Sequence, residues 1–231
     1  MPSENRPNKV LIKLSGEAFS SEEEPLSEES INYIIGELRP VINMGIKIGI
    51  VIGGGNILRG GSSFKSIRRE VVDYTGMLST MINGLILYEF LKKEGLPVNI
   101  TSGLPVHNLL EDFNPLKEFE GVMIFSGGTG KPFLTTDTAS ALRALQMDAK
   151  MVIKATKVDG VYDKDPNKFK DAKFIETISY EEALEKKLGI MDLTAFSLLM
   201  SMRIPICVIN FFKKGNLAKL LKGERIGSLI K

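Results

Sequence analysis

The sequence has no tryptophan, one cysteine and one histidine in 231 residues, and these shortages exclude several chemistries. Cys207 has no partner for a disulfide within the chain. Its apolar setting, Ile206-Cys207-Val208-Ile209, reads as an inert buried thiol, and the expected compartment is the cytoplasm. One histidine and one cysteine fall short of the usual zinc ligand sets. His107 stands in Leu104-Pro105-Val106-His107-Asn108 with no nucleophile-elbow motif to serve, so a Ser-His-Asp hydrolase is not expected. No apolar run reaches the roughly 18 residues of a membrane-spanning helix, and MPSENRPNK lacks the apolar core of a signal peptide. Charge of one sign is also missing: 30 basic and 28 acidic residues leave a net +2, which suggests neither a nucleic-acid coat nor a membrane-surface protein.

What remains is an ordinary globular composition, 43% hydrophobic and 25% charged, in a chain long enough to bury a large core. Short apolar runs alternate with helical spacings from end to end. Strands are expected at 10–14, 46–52, 98–101, 122–126, 151–155, 206–209 and 228–230. Helices are expected from about Ser30, with Ile31, Ile34, Ile35, Leu38 and Ile42 on one face, and over 67–93, 138–147, 180–188, 193–202 and 216–221. Continuous apolar strands between helices predict an α/β fold with a mostly parallel sheet covered on both faces. No internal repeat or long linker divides the chain, so residues 1–231 are expected to form one domain. The acidic stretch Ser20–Ser30 reads as a solvated loop leading into a helix.

In open α/β sheets ligands bind beyond the carboxyl ends of the strands, and four such ends carry unusual residues. The first, Lys13-Leu14-Ser15-Gly16-Glu17, places a lysine in an apolar strand, reasonable if its ammonium meets an anion, although an edge lysine could also snorkel. The second is Gly53-Gly54-Gly55-Asn56, followed by Arg59. It suits main chain that touches a ligand or takes positive φ, whereas a plain turn needs only one or two glycines. The third is Gly127-Gly128-Thr129-Gly130-Lys131-Pro132-Phe133-Leu134-Thr135-Thr136-Asp137. It concentrates amides and hydroxyls before a helix, with Thr136 or Asp137 as the expected N-cap. It is not a Walker A loop, and no G-x-G-x-x-G follows any strand. The fourth, Lys154 to Pro166, offers Thr156, Tyr162 and Asp165 for a nucleoside, or is simply a polar loop with a turn.

Together, KLSGE, VIGGGN, DYTGM, GTGKPFLTTD, KATKVDGVYDKDP and MDLTAF resemble, in order and spacing, the bacterial UMP kinases of the amino acid kinase superfamily. The resemblance implies a three-layer α/β/α sandwich in which ATP and UMP meet over the strand ends, with Mg²⁺ accompanying ATP. It implies that Lys13 touches the transferring phosphoryl group and that Leu14, Ser15 and Gly16 lie at the ATP phosphates. Gly55 and Arg59 would face phosphate on the ATP side, and Thr156, Tyr162 and Asp165 would frame the adenosine. Gly54, Asp73 and the run Thr129, Gly130, Lys131, Pro132, Phe133, Leu134, Thr135 and Thr136 would hold UMP, with Asp73 on the ribose. Asp137 and Asp192 match aspartates near the reacting phosphates, Asp192 as candidate for orienting lysine or Mg²⁺. Inhibition by UTP and a homohexamer, with the helix after Ile67 near an interface, follow from the same resemblance; the acidic, glycine-free Ser20–Ser30 departs from the pattern of GTP-activated members and leaves that activation open. A kinase acting on a carboxylate or carbamate is the rival reading, and a nucleotide-binding protein without catalysis is another.

Overall fold

The structure, a computed structural model, describes residues 7–58 and 66–231. Eight strands form one sheet in the order β3-β4-β2-β1-β5-β9-β10-β8. In chain order they are β1 (Lys9–Leu14), β2 (Lys47–Ile52), β3 (Val98–Ser102), β4 (Val122–Ser126), β5 (Val152–Thr156), β8 (Thr177–Ile178), β9 (Ile206–Asn210) and β10 (Ser228–Ile230). A separate hairpin pairs β6 (Val161–Tyr162) with β7 (Phe174–Ile175). Among the described residues the pair β9–β10 is the one antiparallel pairing in the large sheet. The glycine-bearing ends of β1, β2 and β4 therefore lie on one edge, together with the end of β5.

Helices cover both faces. α1 (Glu28–Ile42), α2 (Arg69–Lys93) and α6 (Asn216–Leu221) bury Ile31, Ile34, Leu38, Leu87 and Leu217 against Val10, Ile12 and Leu14 of β1. α3 (Thr136–Gln146), α4 (Tyr180–Glu185) and α5 (Leu193–Ser201) set Ala139, Ala183 and Ala195 in a second core with Leu11. The period-2 alternation of a strand sends Leu11 and Lys13 to the α3 side and Val10, Ile12 and Leu14 to the other. Alanines on α3 let the helix lie close over β1, β2 and β5.

The expected elements are present, with three departures. The helix over 180–188 stops at Glu185, because Lys187 takes φ 52° and a left-handed residue ends helical geometry. The N-cap of α3 is Thr135, not Thr136 or Asp137: its Oγ1 accepts from the N–H groups of Asp137 (3.0 Å) and Thr138 (3.2 Å). Three two-residue strands, β6, β7 and β8, were not anticipated, being too short to show a period.

Ile50 is fully buried in β2, between β1 and β4. Ile50→Ala is expected to cost about 3 kcal/mol through lost burial and a residual cavity. Urea unfolding followed by circular dichroism checks this, with the midpoint falling while the slope stays unchanged.

Candidate active site

β1 and β5 are hydrogen-bonded neighbours, and their register sets Lys13 beside Lys154. Residues opposed in adjacent strands point to the same face, so two ammonium groups stand side by side beneath α3. Like charges so placed are destabilising unless a counter-charge intervenes. Asp137, in the first turn of α3, supplies it. Its Oδ1 lies 3.1 Å from Lys13 Nζ and its Oδ2 lies 3.3 Å from Lys154 Nζ. All three side chains are mostly buried. Lys154 also donates to the carbonyl of Ile190. Burial pulls the Lys154 pKa below the ordinary lysine value; the attraction of Asp137 opposes this and the like charge of Lys13 adds to it.

Asp192 does not touch either lysine through a direct ion pair. It caps α5, accepting the N–H of Ala195 at 3.0 Å, and also accepts the hydroxyls of Thr135 and, at 3.0 Å, Thr138. Since Thr135 caps α3, one side-chain chain ties the amino ends of two helices together. Burial alone would raise the Asp192 carboxyl; the hydrogen bonds from Thr135, Ala195 and Thr138 outweigh it and hold the group below the ordinary aspartate range.

Two cavities flank this cluster. One, of about 300 Å³, is lined by Gly54, Gly55, Arg69, Asp73, Met77 and Thr80 from the β2–α2 side, and by Gly128, Thr129, Lys131, Leu134, Thr135 and Thr136 from the β4–α3 side. The other, of about 480 Å³, is lined by Lys154, Thr156, Tyr162, Asp165, Lys187 and Ile190, among others. Asp137 follows Thr136 of the first cavity and contacts Lys154 of the second, so the charged cluster lies where the two approach. The amino end of α3 adds a field that favours anions there.

The glycine turns meet different demands than expected. A Cβ on Gly16 would lie 2.4 Å from Asn56 Oδ1 and 2.7 Å from the Gly55 nitrogen, so Gly16 lets the first two turns pack on each other. Gly53, Gly54 and Gly55 do not take positive φ; a Cβ on Gly54 would meet Ser79 and the Gly76 carbonyl of α2, while Gly55 opens onto space. Asn56 and the fully buried Asn83 exchange amide hydrogen bonds of 2.9 and 2.8 Å, and Asn83 also donates to the carbonyl of Gly53.

Of the residues singled out in the sequence, Gly54, Asp73, Thr129, Lys131, Leu134, Thr135 and Thr136 line the first cavity, and Gly55, expected at ATP, joins them there. Gly130, Pro132 and Phe133 lie in the same loop but not among the lining residues; Phe133 donates its N–H to Asp73 Oδ2 at 2.7 Å. Asp73 Oδ1 accepts from Arg69 Nε, also at 2.7 Å. Thr156, Tyr162 and Asp165 line the second cavity, where Tyr162 packs edge-on against Phe174. Leu14 is buried, and Ser15 caps the short 3-10 turn Gly16–Phe19. Arg59 lies outside the described residues. Lys154, Arg69, Asn83 and Lys187 were missed. Lys154 had a visible signal: MVIKA repeats the lysine-in-an-apolar-strand pattern of VLIKL.

A profile of the amino acid kinase family matches residues 8–210. The uridylate kinase of Wolinella succinogenes is 46% identical to the chain, covering 96% of it and 95% of that protein. That of Fervidobacterium nodosum is also 46% identical, covering 96% and 97%. The chain belongs to the amino acid kinase family, in its uridylate kinase branch. Among solved structures, the UMP kinase from Bacillus anthracis superposes with a TM-score of 0.93 at 32% identity, over 98% of this chain and 97% of that one. The UMP kinase from Ureaplasma parvum gives 0.91 at 30%, over 98% and 99%. The phosphotransferase class follows from this membership.

The Asp192 tie carries a pH signature. A carboxyl held below its ordinary value stabilises the fold fully above the unfolded aspartate value of about 3.9, and that contribution is lost as pH falls through the lower folded value. Asp192→Asn is therefore expected to lower stability at pH 7 by on the order of 1 kcal/mol, a figure reduced by its solvent access. The gap to the unsubstituted protein should close as pH falls from about 3.9 through the lower folded value; denaturant melts along a pH series measure it.

Proposed function

We propose that the chain transfers the γ-phosphate of ATP to UMP, with UMP in the Asp73 cavity and ATP in the Tyr162 cavity. The observation that carries this is the Lys13–Asp137–Lys154 cluster between the two cavities. Phosphoryl transfer needs alignment and charge neutralisation more than covalent help. A phosphate oxygen of UMP attacks the γ-phosphorus, the bond to the β-phosphate oxygen breaks, and ADP leaves with that electron pair. The attacking oxygen is already anionic at neutral pH, so no base is required. Lys13 and Lys154 neutralise charge spreading over the equatorial oxygens, and Asp137 holds both ammoniums in place. Asp73, already accepting from Arg69 and Phe133, has lone pairs left for ribose hydroxyls. Ser15 and Gly16 belong at the phosphate end of ATP, and Gly54 and Gly55, which line the Asp73 cavity, at the phosphate of UMP.

Among the described residues no three His, Cys, Asp or Glu side chains group as a metal site. Asp137 and Asp192 are engaged by lysines and by helix and hydroxyl donors. Mg²⁺ accordingly belongs to the substrate, MgATP, held by phosphates. Among the described residues no helix is long and apolar enough to cross a membrane, and the reading is of a cytoplasmic, single-domain enzyme. Inhibition by UTP follows from a cavity that accepts a uridine nucleotide. Assembly into a homohexamer draws support from α2, where Val71, Tyr74, Leu78 and Ile82 expose an apolar stripe at helical spacing.

An ADP-release assay with UMP, CMP, dUMP and acetylglutamate as acceptors tests the reaction, and UMP should dominate. Lys13→Ala should cut turnover at least about a hundredfold while the circular dichroism spectrum is kept. Equal turnover of acetylglutamate would overturn the reading. For the assembly, Leu78→Glu should lower the mass measured by light scattering, because a charge in a buried apolar contact is unpaired.

A further inference from the structure

Arg143, on α3, is 6% exposed, and the reaction described above makes no use of it. Its guanidinium lies over the rings of Phe113 (5.9 Å) and Phe125 (5.7 Å). Nη1 donates to Gln146 Oε1 at 2.6 Å, Nη2 reaches the Gly128 carbonyl at 3.5 Å, and Nε has no hydrogen-bond partner among the described residues. Burial lowers its pKa, against the opposing charge of Asp112, so the charged form is held at a cost. A buried guanidinium with an idle donor is a poor choice for stability alone, and apolar packing would serve the core better.

What it touches gives the reason. Gly128 and Thr129 line the Asp73 cavity, and the turn that carries them has Gly127, Gly128 and Gly130 at φ 64°, 56° and 74°. Three glycines in four residues lose much conformational entropy on ordering, so such a turn is loose unless held. Thr80 Oγ1 holds one end, accepting the Gly127 N–H at 2.8 Å, and the Gly130 N–H returns to the Gly127 carbonyl at 3.0 Å. The Gly128 carbonyl is reached from behind by Arg143. The neighbouring segment is close on the same side: a Cβ on Gly103 would stand 2.5 Å from the Gly128 oxygen and 2.9 Å from Arg143 Nη2.

We infer that Arg143 is a positioning residue for the acceptor nucleotide: from outside the cavity it fixes the Gly127–Gly130 turn in the shape that receives UMP. This deepens the proposed function and rests on its assignment of the Asp73 cavity to UMP. The Tyr162 cavity contains no residue of the turn, so the effect should be confined to one substrate.

The experiment is steady-state kinetics with UMP and ATP varied separately, for the unsubstituted protein, Arg143→Lys, Arg143→Met and Gln146→Ala. Arg143→Met should raise the KM for UMP about tenfold or more and leave the KM for ATP within about twofold. Arg143→Lys, which keeps the charge without the fork, should fall between. Gln146→Ala frees Nη1 without touching the turn and should give a smaller rise of the same kind; it carries the test if the Arg143→Met protein does not fold. A fall in melting temperature with both KM values unchanged, or both KM values rising together, would overturn the inference. If the unsubstituted protein fails to phosphorylate UMP, the functional reading falls instead, so the two failures are distinguishable.

Discussion

The Asp137 carboxylate, shared between two lysines of adjacent strands, constrains the rest of the site. β1 and β5 are neighbours in register, so Lys13 and Lys154 are forced onto one face under α3. Without a counter-charge this pairing would oppose the sheet that creates it. Asp137 reaches both because α3 starts at Thr136 over that face. The start of α3 is set in turn by the Thr135 hydroxyl, which Asp192 holds from the amino end of α5. Sheet register, helix start and helix-to-helix tie thus converge on one carboxylate.

This arrangement also accounts for how a chain with one histidine performs group transfer. The reaction needs fixed positive charge and alignment, and strands supply both more rigidly than loops do. The two cavities open on either side of the lysines at the edge where parallel strands end, with a helix amino terminus facing them. Acidic side chains serve geometry here: Asp137 orients cations, Asp192 joins helices, and Asp73 bridges Arg69 to the backbone of Phe133.

The glycine-rich corners show how one residue type answers several needs. Gly16 and Gly54 are small because other main chain or helix lies against them, Gly55 faces open space, and Gly127, Gly128 and Gly130 turn the chain through positive φ. Their concentration marks the edge as special. Which glycine serves packing and which serves shape depends on segments far away in sequence.

The sequence by itself determined the α/β alternation, the mostly parallel sheet and the strand ends that carry chemistry, because apolar periodicity and glycine position act locally. It also marked Lys13, Asp73, Thr129–Thr136 and Tyr162 through motifs that keep their spacing. The tertiary structure alone decided that Lys154 is the companion of Lys13, that Asp137 bridges them, that Asp192 takes the hydroxyls of Thr135 and Thr138, and that Asn83 and Arg143 brace glycine turns. Each of these is a contact between residues distant in the chain, fixed by strand order and register, and no local pattern encodes which strand becomes the neighbour of another. The two-residue strands β6, β7 and β8 were illegible for a related reason: two residues show no repeat, and their partners define them. The early end of α4 is set by the left-handed backbone of Lys187, which no apolar spacing announces.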